Sequence, residues 1–289
     1  MKQLAPSELI LNDDGSIYHL CLKPGDIANT IITVGDQDRV DLISKHFDTI
    51  EVRIQNREFK THTGTLNGKR LTVISTGIGP DNIDIVFNEL DALVNIDFTT
   101  RSVKETHTPL TFIRIGTSGT VQKDIALDTL LISDIAVGFD NLIRFYKNVD
   151  TITIPNFSEK FVASTQWNPT SAIPYAIAAG RELIHQFEDR EFTKGITATS
   201  VGFYGPQGRS LRLPLYDTSL NEKLATFRFN GMPITNLEME TAAIYAMAKL
   251  LGHQAISFNA ILANRVTGAF SDTPKETIEK LISLVLSKI

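Results

Sequence analysis

Ile31-Ile32-Thr33-Val34-Gly35-Asp36-Gln37-Asp38-Arg39-Val40 decides the fold of this chain. Ile31 to Val34 reads as a short buried strand, Gly35-Asp36 as a turn, and a helix follows from about Asp38 to His46. The same strand–turn–helix order recurs downstream. Leu71 to Ser75 reads as a second strand and leads through Thr76-Gly77-Ile78-Gly79-Pro80 into a helix with apolar residues Ile85, Val86, Leu90, Leu93 and Val94. Phe112 to Ile115, Leu130 to Val137, Gly195 to Val201 and Ala255 to Leu262 read as further strands. Ala176, Ile177, Ala179, Leu183, Ile184 and Phe187 have helical spacing. Thr273-Pro274-Lys275-Glu276 combines a capping box with proline at the first helical position, and Ile278, Leu281, Ile282, Val285 and Ile289 continue as one apolar stripe. The alternation predicts one α/β domain over residues 1–289, with a parallel or mixed central sheet covered by helices on both faces.

Composition narrows the class. The 289 residues are 42% hydrophobic and 21% charged, the balance of a globular protein with a sizeable core. No apolar run approaches the roughly 20 residues that span a bilayer, so no membrane partner is expected. Met1 to Asp14 has neither the basic start nor the apolar centre of a secretory signal. Cys21 is the single cysteine, which rules out an internal disulfide and a cysteine metal cluster and fits a cytoplasmic protein. Net charge is −5 without a Lys/Arg cluster, which argues against nucleic acid. A few local arginines can still hold a small anion.

Four segments carry chemistry. Asn236-Leu237-Glu238-Met239-Glu240-Thr241-Ala242 sets two carboxylates around a methionine at the start of an apolar helical pattern. Alone, Glu240 reads as a first-turn acid favoured by the helix dipole. Arg39, four residues past Gly35, and Arg114, at the end of its strand before Thr117, are guanidiniums suited to an oxyanion; each reads equally as a solvated or ion-paired residue. Phe203-Tyr204-Gly205-Pro206-Gln207-Gly208-Arg209 offers an aromatic face, an amide that both donates and accepts, and a fixed set of donors.

Gly35–Val40, Arg114–Gly119, Phe203–Arg209 and Asn236–Ala242, in this order, resemble the nucleoside phosphorylase family, most closely its uridine phosphorylase branch. The resemblance runs from about His19 to the C-terminus. It implies a three-layer α/β/α sandwich around a mixed sheet, with residues 1–16 an N-terminal extension and residues 95–108 an insertion before the Arg114 strand. It also implies phosphate ligands Gly35, Arg39, Arg57, Arg114 and Thr117, and ribose contacts His19, Thr117, Met239 and Glu240. Spacing alone does not separate Glu238 from Glu240. Base contacts would be Phe203, Gln207, Arg209, Gly119 and Arg265, with Arg265 bracing the glutamine. Arg114, Arg209, Gln207 and Glu240 would be the catalytic set.

Purine-specific relatives carry an aspartate where this chain has Asn264, and an amide cannot protonate a purine. The implied activity is therefore phosphate-dependent cleavage of uridine to uracil and ribose 1-phosphate, in pyrimidine salvage. A purine nucleoside phosphorylase or nucleosidase, or a silent nucleoside-binding protein, is the alternative. The co-substrate would be inorganic phosphate, with no cofactor and no catalytic metal. Glu58 matches a residue that binds an interface cation in some relatives, and Asp81 or Asn82 could complete it. His19 and Arg57 match residues donated across a subunit interface, which implies a homo-oligomer with shared sites. The family's Gly-Ile-Gly-Gly-Pro-Ser is here Gly77-Ile78-Gly79-Pro80-Asp81-Asn82, and this, with the insertion, favours a dimer over a hexamer.

Overall fold

The first strand and helix lie where their sequence puts them. In the computed structural model, which describes residues 3–289, Thr30–Val34 forms β1 and Gln37–Ser44 forms α1. Met1 and Lys2, the start of the expected extension, lie outside the described residues. Next come β2 (Thr49–Asn56), β3 (Phe59–Leu66), β4 (Lys69–Ser75), α2 (Pro80–Asn95), β5 (Ile96–Asp97), β6 (Ser102–Val103) and β7 (Thr111–Thr120). The second half contains β8 (Leu130–Gly138), α3 (Phe157–Thr165), β9 (Tyr175–Ala178), α4 (Arg181–Gln186) and β10 (Phe192–Thr199). The chain ends with α5 (Leu220–Thr226), β11 (Arg228–Phe229), β12 (Met232–Glu238), α6 (Thr241–Leu250), β13 (Gln254–Asn264) and α7 (Pro274–Leu286).

One mixed sheet runs β11-β12-β10-β8-β13-β7-β1-β4-β3-β2. β1 is parallel to β4 and β7, and β7 to β13, whereas β8 is antiparallel to β13. A short antiparallel contact of β12 with β7, at Asn236–Thr120 and Leu237–Gly119, curls one end of the sheet back on itself. That closure brings Glu238, at the end of β12, and Glu240 just beyond it beside the β7 arginine. α2 and α6 pack their apolar faces on one side, where Val86, Phe87, Leu90 and Ala242 to Ala248 are buried. α1 and α7 cover the other with Val40, Ile43, Leu281, Ile282 and Val285. Each such aliphatic side chain stabilises the fold by about 1.5–3 kcal/mol on burial. The three-layer architecture is the one the sequence implies.

Several local expectations are corrected. Tyr175–Ala178 is a strand paired antiparallel with β8, not the start of a helix; the helix begins only after Gly180. Sheet pairing overrides an apolar spacing that fits either element. The third strand does not end at Arg114 but runs on to Thr120, so Arg114 and Thr117 are both within it. β12 continues to Glu238, which puts that carboxylate on a strand rather than in the helical pattern. The capping box at Thr273 is not formed: its side chain caps nothing, and its N–H is already held by Ser271 Oγ at 3.0 Å. Residues 95–108 form the short β5–β6 ladder, and Arg101 there hydrogen-bonds the carbonyls of Leu4, Ala5 and Leu9.

Candidate active site

Strands of an open α/β sheet present their ligand-facing loops at their carboxyl ends. Here the ends of β1, β4, β7, β10 and β12 surround a cavity of about 930 Å³, within the size range of small-molecule sites. Gly35, Arg39, Arg114, Thr117, Gly119, Phe203, Gln207, Arg209, Met239 and Glu240 all line it, as do Glu58 and Glu238. Residues more than two hundred positions apart in sequence are thus brought together.

One end is a buried charge cluster. Arg114 Nη2 donates to Glu240 at 2.6 Å and lies 3.0 Å from Glu238, while Nη1 donates to Asn259 Oδ1 at 3.0 Å. Side chains two apart on a strand share a face, so the guanidinium folds back across residue 116. A Cβ there would lie 2.0 Å from Nη1, and only glycine leaves the space.

The structure separates the two glutamates. Glu238 accepts from Thr199 Oγ1 and from the N–H groups of Glu240 and Thr241, and is ion-paired with Arg114, so its oxygens are fully engaged. Glu240 takes one donor on each oxygen, Arg114 and the Gly79 N–H at 3.0 Å, and keeps lone pairs for a ligand. Gly79 reaches this position with φ of 103°, a glycine conformation, at the start of α2. The Gly77–Asn82 stretch thus reaches the cavity carboxylate through the Gly79 N–H.

Burial, with the Glu238 charge adding to it, raises the Glu240 pKa above the ordinary carboxylate value despite Arg114. Burial alone would lower that of Arg114, but the two carboxylates outweigh it and raise it. Arg39, by contrast, is pulled down by burial and by Arg114. Its protein partner is the Ile115 carbonyl at 3.4 Å. Two guanidiniums that line one cavity and repel one another favour an anion between them.

The other end is a loop. After β10 the chain turns out through Phe203, half-exposed, and back through a short turn to Gln207, which is buried. The Arg209 guanidinium lies 3.9 Å from the Phe203 ring centroid, and its Nη1 donates to the Phe203 carbonyl at 2.7 Å and to Gln207 Oε1 at 2.6 Å. The brace on the glutamine is thus Arg209. Arg265 instead rests its aliphatic stem beside Gly119 and reaches the Gly208 carbonyl at 3.5 Å, with its Nε buried and unpartnered. Burial and the neighbouring Arg265 bring the Arg209 pKa down to about 10, so it remains cationic at neutral pH.

Asn264 has no capacity to spare. Its Nδ2 donates to the carbonyls of Gln122 and Ile125, and its Oδ1 accepts from Val266 and Thr267.

His19 and Arg57 do not line this cavity. His19 Nδ1 is 2.6 Å from Glu89, and the Arg57 guanidinium lies 5.6 Å over the Tyr18 ring. Glu58 faces the cavity beside Gly77 and Asn82, whereas Asp81 stays exposed. Among the described residues, the cluster with three potential metal ligands lies elsewhere, at Asp91, His107 and His253. His253 Nδ1 accepts the Leu110 N–H, so its proton sits on Nε2, 3.2 Å from Asp91, and that nitrogen offers no lone pair to a metal.

Asn259 and Gly116 were not anticipated as parts of the site. A polar residue inside the apolar Ala255–Leu262 run was the available signal for Asn259. For Gly116 only the spacing of two from Arg114 was.

The sheet and cavity are those of an α/β enzyme, and the family places it among the pentosyl-transferring ones. The chain belongs to the phosphorylase superfamily, whose sequence profile matches residues 29–287. It is 30% identical to a uridine phosphorylase of Thermococcus kodakarensis over 291 aligned positions, covering 100% of this chain and 90% of the relative. It is 25% identical over 280 to a guanosine phosphorylase of Halorubrum lacusprofundi, covering 94% and 97%. The crystal structure of a Trypanosoma brucei nucleoside phosphorylase, described as showing uridine phosphorylase activity, superposes with a TM-score of 0.87 at 29% identity over 97% of this chain and 98% of that one.

Proposed function

We propose that the enzyme is a uridine phosphorylase, converting uridine and inorganic phosphate to uracil and ribose 1-phosphate. The observation that carries this reading is the base end of the cavity: a glutamine–arginine pair stands there, and the position of a purine-protonating acid is an amide with every hydrogen-bonding group engaged. A departing uracil carries its negative charge on its carbonyl oxygens, which need donors rather than an acid. With Gln207 Oε1 turned toward Arg209, the amide N–H groups and the remaining guanidinium donors are free for that charge.

Phosphate would sit between Arg39 and Arg114, with Gly35 and Thr117 completing its surroundings below C1′. Glu240 would accept from the 2′- and 3′-hydroxyls, and Met239 would pack on the sugar. Holding the oxyanion in line with the breaking bond supplies much of the acceleration. Arg57 and His19 would come from a neighbouring subunit, to phosphate and to the 5′-hydroxyl, in a homo-oligomer with shared sites, a dimer rather than a hexamer. No cofactor is needed for this chemistry.

A nucleoside panel with and without phosphate tests the reading. Uridine should be cleaved only when phosphate is present. Comparable release of uracil in phosphate-free buffer would make the enzyme a hydrolase, and turnover of guanosine or inosine without uridine would make it a purine enzyme, as the guanosine phosphorylase relative would suggest.

A further inference from the structure

We propose that Gln37 is a positioning residue: it holds the turn that carries Arg57, and so acts on the neighbouring subunit's cavity rather than on its own. The proposal rests on the shared-site reading above. Gln37 opens α1 directly after the Gly35-Asp36 loop, and it lines the cavity. Its carboxamide, however, is committed outward. Nε2 donates to the Arg57 carbonyl at 2.6 Å, and Oε1 accepts from Gln55 Nε2 at 3.1 Å.

The turn it grips needs holding. Arg57 and Glu58 are the two residues between the paired ends Asn56 and Phe59 of β2 and β3. Arg57 has φ of 53°, in the left-handed region that side-chain-bearing residues rarely enter. The two turn residues face opposite ways, because Glu58 lines the cavity of its own chain and Arg57 does not. The same hairpin tip carries the other expected donor: Asn56 Nδ2 donates to the His19 carbonyl at 2.8 Å, and the Arg57 guanidinium lies over Tyr18. One end of the loop that would bind phosphate in one cavity is thereby tied to the turn that would serve the next.

A local ligand and a positioning residue give opposite complementation patterns. Gln37→Ala should raise the KM for phosphate roughly tenfold, as misplacing a binding group does, with the KM for uridine and the Tm unchanged. Gln55→Ala, outside the cavity, should raise the same KM by less. Mixed oligomers are then isolated through two different tags. Arg114→Ala paired with Arg57→Ala is the control and should regain about half of wild-type activity, one cavity of each pair being intact.

Assayed at phosphate well below the wild-type KM, where a tenfold rise leaves about a tenth of the rate, Gln37→Ala paired with Arg114→Ala regains the same level if Gln37 acts through Arg57, and Gln37→Ala paired with Arg57→Ala stays at about a twentieth or less. The reverse pattern would make Gln37 a ligand of its own cavity and overturn the proposal, as would an unchanged KM for phosphate in Gln37→Ala. No recovery in the control pair would mean that the shared-site reading itself has failed, and the proposal would fall with it.

Discussion

The two ends of the cavity are built on opposite plans. At one end Arg114, Glu238 and Glu240 are 5%, 4% and 5% exposed, and their charges are spent on one another. At the other, Phe203 is 51% exposed and Arg209 is bonded to carbonyls, with no carboxylate against it. Buried charges are tolerable only when already paired and hydrogen-bonded, so the first end is held in place before any ligand arrives, with lone pairs of Glu240 left over to receive one. The second end keeps its positive charge unneutralised, where it can meet negative charge that exists only during bond cleavage. Under the proposed function, chemistry on the sugar would be anchored in the core and recognition of the base placed on a loop.

The largest effect that could break this contrast is on folding. Arg114→Ala leaves two carboxylates buried without their cation and should cost about 3–5 kcal/mol of stability, read from urea unfolding, along with nearly all activity. Arg209→Ala should lower kcat/KM for uridine by roughly two orders of magnitude while shifting stability by no more than about 0.5 kcal/mol. Equal stability losses in the two variants would erase the distinction between the ends.

A subtler effect is in pH. In the proposed role Glu240 would have to be ionised to accept two hydroxyls, and its pKa is raised by burial and Glu238. kcat/KM for uridine should therefore fall on the acid side at a pH above the ordinary carboxylate range. Stability responds in the opposite sense: a raised folded-state pKa contributes stability that is complete below the unfolded value and lost as pH rises through the folded one. Urea midpoints should accordingly depend on pH less in Glu240→Gln than in the wild type. Matching acid limbs of kcat/KM in the two proteins would sink this assignment.

What the sequence revealed follows the same division. Strand–turn–helix units such as Thr30–Ser44 were legible because their signals are local. Glu238 and Glu240 were inseparable by spacing, since what distinguishes them is donors from elsewhere, Thr199 and Thr241 on one, Gly79 on the other. β2 was missed because it is an edge strand whose alternate residues Thr49, Glu51, Arg53 and Gln55 face solvent, so it lacks a continuous apolar run. The grip of Arg209 on Gln207 was hidden for a different reason. It depends on how a loop folds back on itself, and the expected brace from Arg265 was a borrowed geometry.

Gly116 gives the site a particular future under mutation. Its missing side chain is the space in which the Arg114 guanidinium lies. A single change to alanine would push that guanidinium out and strand both glutamates, while a single loss of the arginine strands them equally. A lineage that abandons the arginine must first neutralise a glutamate, so position 116 should start to vary only after the carboxylates have.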